Sequence, residues 1–169
     1  MNAAGTRKAV FLNPGDLYFG KGPARVATVL GSCVSVILRN PHDCYAAMCH
    51  CLLPRWKKTG MPLPADPELR RYVDTCIPLM LKMLEKHGGL DSIEAKVFGG
   101  AYMFTSRNGV CVRHVGAENT AVALELLQRR SLPVASSDIG GNYGRKILFY
   151  TDTGEVRVRR LNSDQRGTA

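Results

Sequence analysis

The stretch TVLGSCVSVILRNPHDCYAAMCHCLLP, residues 28–54, is the strongest indication of the fold because it holds two strand-like runs around a strong turn signal. The residue types of the NPHD cluster at 40–43 favour reverse turns, and the flanking runs are rich in apolar and β-branched residues. The segment therefore predicts an antiparallel hairpin. We expect a four-residue turn at 40–43, closed by Arg39 and Cys44.

That turn sets a register that brings a thiol and an imidazole together. Cys33 lies directly opposite His50 in it, and opposed residues of an antiparallel pair have Cβ atoms about 5 Å apart on one face. A slip by one residue would move the two groups to opposite faces. The other face of the hairpin is apolar and would carry Val34, Val36, Leu38, Tyr45, Ala47 and Cys49.

A paired cysteine and histidine suit nucleophilic chemistry, because the thiolate is the attacking species and an imidazole can take its proton. We predict Cys33 as nucleophile, His50 as its base and Thr28 as the residue that orients the imidazole. Gly31 and Ser32 precede the cysteine, and a glycine there lets a substrate approach the backbone. Backbone N–H groups near the cysteine would then face a developing oxyanion.

Two alternatives use the same residues without catalysis. A cysteine and a histidine opposite one another in a hairpin can simply be packed neighbours. Cys44, Cys49 and Cys51 with His50 could bind zinc, but strand alternation puts His50 on the face opposite the latter two cysteines and no second ligand pair follows. Since the glycine pairs of the chain match no nucleotide fingerprint either, we expect neither a metal nor a cofactor.

Outside the hairpin, apolar periodicity predicts two helices and further short strands. One helix is expected to begin near Asp66-Pro67, to kink or break at Pro78 and to stop at Gly88-Gly89; the other runs from Asn119, as its N-cap, to Arg130. A further hairpin is expected at Thr151–Gly154. The expected strands are 9–12, 16–19, 25–29, 34–39, 45–53, 94–98, 110–114, 134–137, 147–150 and 156–161.

This order of elements predicts an α+β fold: a single domain of mostly antiparallel or mixed β-sheet layers flanked by two main helices. We expect one domain over 9–161, with flexible tails at 1–8 and 162–169. The length of 169 residues is enough for one hydrophobic core.

The composition and charge of the chain indicate its cellular compartment and its class of partner. The N-terminal residues contain no apolar export signal, and no run approaches the ~20 apolar residues that span a bilayer, so we expect a cytoplasmic protein with reduced cysteines and no membrane insertion. The formal net charge of +9 calls for an anionic partner or a role in solubility. Nucleic acid is one candidate, but the basic residues are scattered and accompany no nucleic-acid module. An acidic protein surface explains the charge equally well.

At its most informative blocks the sequence resembles the chemoreceptor glutamine deamidase family, CheD. Five blocks carry the resemblance in order along most of the chain: LGSCVSV at 30–36, HCLLP at 50–54, KVFGGAYMF at 96–104, VGAENT at 115–120 and DIGGNYGRK at 138–146. The resemblance implies a Cys–His–Thr triad, which falls on Cys33, His50 and Thr28.

The resemblance also implies a substrate and partners. The expected reaction is the hydrolysis of glutamine side chains to glutamate on the cytoplasmic domains of chemoreceptors, in support of chemotactic adaptation, by a monomer associated with receptor arrays. Gly31, Ser32, Gly99 and Gly100 are expected to border the substrate or its oxyanion. The alternative is an adaptor that binds a CheC-type phosphatase or receptors with little catalysis. A nucleic-acid partner is not expected.

Overall fold

The computed structural model describes residues 7–56, 62–102 and 114–161. Within these ranges the chain forms nine strands, two α-helices and one 3₁₀ turn at Glu68–Arg71. The strands are β1 Lys8–Phe11, β2 Leu17–Lys21, β3 Ala24–Leu30, β4 Val34–Arg39, β5 Tyr45–Cys49, β6 Glu94–Gly99, β7 Val134–Ile139, β8 Gly144–Tyr150 and β9 Val156–Leu161. The helices are α1 Val73–Gly88 and α2 Val115–Arg129.

The strands form two separate sheets. One has four strands in the order β1-β3-β8-β9, and the other has five in the order β2-β5-β4-β6-β7. All neighbouring strands of the described sheets run antiparallel except the pairs β1–β3 and β6–β7, which are parallel. The α+β class with mixed sheets and two main helices is therefore confirmed.

Strand alternation creates two hydrophobic cores and three layers. On β4, Val34, Val36 and Leu38 pack in the core that α1 and α2 cover, whereas Ile37 packs in the core shared with the four-stranded sheet. Phe149 of β8 meets Ile37 in this second core. The five-stranded sheet thus lies between the helices and the four-stranded sheet. Each fully buried aliphatic side chain of these layers contributes about 1.5–3 kcal/mol.

The turn between β4 and β5 differs from the expected one by a single residue. The Asn40 N–H donates to the Tyr45 carbonyl at 2.9 Å, so the connecting loop is 41–44 rather than 40–43. The Asn40 side chain accepts the N–H of His42, and Cys44 takes a left-handed conformation with φ of 59°. The Asn40 side chain and this rare backbone state of Cys44 select the observed turn.

The shifted turn moves the hairpin register by two residues. Leu38 pairs with Ala47, and Val34 bridges to Cys51 rather than to Cys49. The prediction that Cys33 lies directly opposite His50 is therefore wrong. Because side-chain direction repeats every two residues, a shift of two keeps every side chain on its predicted face. The apolar face of the hairpin is confirmed as part of the helix-covered core.

Helix α1 starts later than expected and is not broken at Pro78. The Asp66-Pro67 segment leads into the 3₁₀ turn, and the α-helix itself begins at Val73. The helix continues through Pro78 without a break. Proline removes one backbone hydrogen bond, but Cys76, Ile77 and the following apolar residues are buried on both sides of it, and this packing holds the helix. The stop at Gly88-Gly89 is confirmed.

Helix α2 begins five residues before its expected start, because its N-cap is His114 rather than Asn119. It runs from Val115, so Asn119 is a buried residue inside the helix and not its N-cap. The hairpin at Thr151–Gly154 is confirmed between β8 and β9. The strand expected at 110–114 falls largely on residues 110–113, outside the described part of the chain. So do residues 1–6 and 162–169 of the expected tails, whereas Arg7 forms an ion pair with Asp152 at 2.8 Å.

Candidate active site

Two of the predicted catalytic residues meet between the sheets. Thr28 lies on β3 of the four-stranded sheet and His50 directly follows β5 of the five-stranded sheet, and both are almost fully buried. The Thr28 Oγ1 atom is 2.7 Å from His50 Nδ1 and 2.8 Å from the carbonyl oxygen of Leu12. The structure therefore brings Thr28 and His50 together across the two layers.

These two distances determine which ring nitrogen of His50 can act as a base. A threonine hydroxyl has one proton, and the Leu12 carbonyl can only accept, so the hydroxyl donates to Leu12. Its oxygen must then accept from Nδ1–H of His50. The neutral ring consequently carries its proton on Nδ1 and has an unprotonated Nε2, the form needed to take a proton from a thiol.

The backbone of His50 is held on both sides. Its N–H donates to the Asp16 carbonyl at 3.0 Å, and its carbonyl accepts from the Gly15 N–H at 2.8 Å. Burial lowers the pKa of His50, because the charged imidazolium loses solvation. The nearby Cys49 opposes this change but does not reverse it. The His50 imidazole is therefore held in place and neutral near pH 7.

Cys33 lies on the same face of the hairpin as His50, offset along the strands. In the observed register His50 faces Ser35, and Cys33 is its diagonal neighbour. Diagonal pairs have Cα atoms about 7–8 Å apart, within reach of longer side chains. Cys33 is half-buried against the core between the sheets, and this burial raises the pKa of its thiol. The resting pair is thus a neutral thiol and a neutral imidazole.

The glycines at the end of β6 hold the backbone at Cys33. The Gly100 N–H donates to the Cys33 carbonyl at 2.8 Å, and the Ala101 N–H donates to the Gly31 carbonyl at 2.9 Å. A Cβ on Gly99 would lie 2.3 Å from the Cys33 carbonyl oxygen, so the strands can approach this closely only at a glycine. Contact of Gly31, Ser32, Gly99 and Gly100 with a substrate stays a prediction.

A buried ion pair beside this site was not predicted from the sequence. The fully buried Arg145 of β8 donates to Asp138 of β7 at 2.8 Å and to the Gly140 carbonyl at 2.7 Å, which joins the two sheets. Arg145 is paired with Leu30, three residues before Cys33. The DIGGNYGRK block contains both charges, and their opposite signs close to a double glycine are the signal that could have revealed the contact.

Three other cysteines form a separate cluster on the helix side of the sheet. The Sγ atoms of Cys49, Cys51 and Cys76 lie within 4.8 Å of one another, and all three residues are buried. Cys49 Sγ also accepts the Val36 N–H at 3.3 Å, and the two neighbouring thiols lower the pKa of Cys49. Three sulfur ligands could hold a thiophilic ion. The zinc set considered from the sequence is not the one assembled here, because Cys44 is exposed and Cys76 joins from α1.

Comparison with known proteins assigns the chain to a family. A family model described as CheD chemotactic sensory transduction matches residues 52–160. A relative from Geobacter sulfurreducens, named probable chemoreceptor glutamine deamidase CheD 2, is 42% identical over 157 residues, covering 90% of each chain. Relatives named probable chemoreceptor glutamine deamidase CheD are 37% identical in Maridesulfovibrio salexigens, over 91% of this chain and 92% of the relative, and 39% identical in Rhodospirillum rubrum, over 90% and 82%.

The extent of these matches bears on the site. The family model begins after His50, but a match over 90% of the chain necessarily includes the segment with Thr28, Cys33 and His50. In the part of the chain that the structure describes, neither helix is long and apolar enough to cross a bilayer. The resemblance carried by the five sequence blocks is thus confirmed over nearly the whole length, and the chain belongs to the CheD family.

Proposed function

We propose that this chain hydrolyses glutamine side chains of chemoreceptors to glutamates by a thiol mechanism, with Cys33 as nucleophile, His50 as base and Thr28 as the residue that orients the base. The single observation that carries the mechanism is the Thr28–His50 hydrogen bond, since it leaves the base nitrogen unprotonated on the face that Cys33 shares. The substrate comes from the relatives, which are named as chemoreceptor glutamine deamidases.

The reaction proceeds in two steps, formation of a thioester and its hydrolysis. His50 Nε2 accepts the thiol proton as Cys33 Sγ attacks the carboxamide carbon, and the C–N bond then breaks as the imidazolium returns that proton to the departing ammonia. The product is a γ-glutamyl thioester. Water, deprotonated by His50, then attacks the thioester; the C–S bond breaks, glutamate leaves and the proton returns to the Cys33 thiolate.

The biological setting follows from the substrate. The glutamates produced are the residues that receptor methylation uses, so the reaction would support adaptation in chemotaxis. We propose a monomer that works in the cytoplasm at receptor arrays, with residues 9–161 as one catalytic domain between two tails. A CheC-type phosphatase is a proposed further partner. The reaction as written needs neither a metal nor a cofactor.

One experiment tests the activity and its nucleophile. Wild-type protein, Cys33→Ala and Cys44→Ala are each incubated with a receptor cytoplasmic fragment, and mass spectrometry maps the amide-to-acid conversions. Cys44 is the matched control, because it is exposed in the β4–β5 turn and away from the proposed site. We expect conversion by wild type and Cys44→Ala and none by Cys33→Ala. Conversion that survives in Cys33→Ala would remove Cys33 from its role; binding without any conversion by wild type would favour the adaptor function.

A further inference from the structure

Asn119 is a buried polar residue that makes its contacts outside its own helix. It is fully buried on α2, and its Nδ2 atom is 2.9 Å from the Ser32 carbonyl oxygen and 3.0 Å from the Leu52 carbonyl oxygen. Both neighbours can only accept, so the amide nitrogen must face them and donate one proton to each. One side chain thus joins the chain before Cys33 to the chain after His50.

These two carbonyls lie where the β4–β5 ladder ends. The last contact of the hairpin is the bridge between Val34 and Cys51. Beyond it the strand bonds stop, and the carbonyls of Ser32 and Leu52 need other donors. The two N–H groups of one carboxamide replace the missing pair of backbone bonds.

Ser32 is the middle one of three consecutive carbonyls that are all fixed. The Gly31 carbonyl accepts from the Ala101 N–H at 2.9 Å and the Cys33 carbonyl accepts from the Gly100 N–H at 2.8 Å. Backbone groups hold these two, whereas a side chain holds the Ser32 carbonyl. Asn119 is therefore the residue through which the Ser32–Cys33 peptide can be altered by substitution.

Fixing this carbonyl also fixes the N–H of Cys33. The Ser32–Cys33 peptide is not among the cis bonds of the described chain, and in a trans peptide the C=O and N–H point in opposite directions. With the carbonyl turned to Asn119, the N–H of Cys33 points away from α2. It lies near the Cys33 thiol, whose pKa it lowers against the larger effect of burial.

We propose that Asn119 is a positioning residue that aims the Cys33 N–H at the oxyanion formed when the thiol attacks an amide. This inference rests on the proposed function and adds to it the element that orients the oxyanion donor. A donor of this kind must be aligned before the reaction begins, because its value comes from costing no reorganisation in the transition state.

The test compares Asn119→Leu with Thr120→Val in the deamidation assay. Leucine keeps the size of the side chain and removes both donors. Thr120→Val is the matched control, because the Thr120 hydroxyl is buried on the same helix and, among the described residues, bonds to the Gly116 and Ala117 carbonyls of that helix. We expect kcat of Asn119→Leu to fall about a hundredfold with KM within about twofold, and Thr120→Val to keep wild-type values.

A second readout separates positioning from a general structural role. Alkylation of Cys33 by iodoacetamide needs the thiolate but no oxyanion donor, so its rate at the Cys33 peptide should stay within about threefold of wild type in Asn119→Leu. Should Asn119→Leu not fold, Asn119→Ser is the second variant, and its hydroxyl bonds back to its own helix rather than to Ser32. The same loss of kcat is expected.

Three outcomes overturn the inference. A folded Asn119→Leu with wild-type kcat would show that the Ser32 contact does not matter, and a parallel fall of kcat and alkylation would mean that the thiol itself was disturbed. In both cases an inactive Cys33→Ala leaves the proposed function standing. A Cys33→Ala protein as active as wild type would instead remove the proposed function, and the role of Asn119 with it.

Discussion

The single hydroxyl proton of Thr28 determines the tautomer of the neighbouring His50 ring. The Leu12 carbonyl takes the threonine proton, and the threonine oxygen can then only accept from the ring. A carbonyl or a carboxylate bonded to Nδ1 would produce the same tautomer. The threonine achieves it without placing a charge in the core between the sheets, where a carboxylate would be expensive to bury.

Removal of the Thr28 hydroxyl should therefore reduce catalysis without removing the base. In Thr28→Val, the Nδ1–H of His50 loses its acceptor, so ring orientation and tautomer are no longer fixed. We expect kcat to fall about 10- to 100-fold in the deamidation assay. Thr28→Ser is the control, because it keeps the oxygen and should retain most activity. Equal activities of the valine and serine variants would contradict the orienting role.

The pH profile of deamidation follows from burial of the same groups. Burial lowers the pKa of His50 and raises the pKa of Cys33, so a neutral thiol beside a neutral base is the resting state across the neutral range. Protonation of His50 removes the base. We expect kcat/KM to decline only as pH falls below about 6.5, the ordinary imidazole value, and to stay level up to or above the ordinary thiol pKa of about 8.5.

The control for this profile is His50→Gln, whose residual rate should lack the acidic decline and be about 10²- to 10⁴-fold lower. An acidic decline centred above the ordinary imidazole value would mean that a charge stabilises imidazolium, as in a resting thiolate–imidazolium pair.

At the scale of elements, the β4–β5 hairpin illustrates what a pattern can and cannot predict. Its existence and its two faces follow from alternation, which is a property of the whole run. Its register depends on the backbone conformation of Cys44 and on the Asn40 side chain, which are local choices among turns of similar energy. Cys33 and His50 remain on one face despite the error, because a shift of two residues preserves side-chain direction.

The prediction of the helices was limited in the same way, because it used local sequence alone. Asparagine is a residue type that favours N-caps, yet Asn119 lies inside α2 and donates to the buried carbonyls of Ser32 and Leu52. Those carbonyls are distant in sequence, so no local pattern identifies the contact. Tertiary packing likewise carries α1 through Pro78 against its low helix propensity.

The close approach of β6 to Cys33 can be tested with a pair of glycines. Gly99 and Gly22 both have positive φ, 107° and 85°, but a Cβ would clash with the Cys33 carbonyl only at Gly99, and at Gly22 it meets nothing within 4 Å. Gly22→Ala should cost about 1–2 kcal/mol of unfolding free energy. Gly99→Ala should cost about 1–3 kcal/mol more, from overpacking.

Urea unfolding gives both free energies, and the activity of the folded fraction gives a second comparison. Gly99→Ala should also lose activity because the Cys33 carbonyl must move, whereas Gly22→Ala should not. Similar losses of stability for the two variants would mean that the strand relaxes without disturbing the site.

At the scale of the whole molecule, the α+β class was predictable because it depends on summed hydrophobic patterning. Nine described strands match expected ones within a few residues. Which strands form which sheet was not predicted, since pairing depends on contacts between residues far apart in the chain, such as Thr28 with Ile147. The candidate site followed the same division: the sequence suggested Thr28 and His50 as partners, which the structure places 2.7 Å apart, but it did not predict that they come from different sheets.

The formal charge of +9 belongs to this scale too, and it predicts salt-dependent encounter with an acidic receptor surface. We expect kcat/KM toward a receptor fragment to fall about tenfold between about 0.05 and 0.5 M salt, because the screening length shortens to a few ångströms. An uncharged glutamine peptide is the control substrate and should show little change. A kcat/KM toward the receptor fragment that does not change with ionic strength would contradict charge-guided encounter.

The division of the site between two sheets has a consequence for the life of the protein before it is fully folded. The hydroxyl that orients the imidazole arrives on one layer, and the imidazole and thiol arrive on the other. A nascent or partly melted chain with only one layer formed has a cysteine but no aligned proton acceptor. On the proposed mechanism, amide cleavage would therefore begin only when the layers have joined, which would protect other glutamines from an immature enzyme.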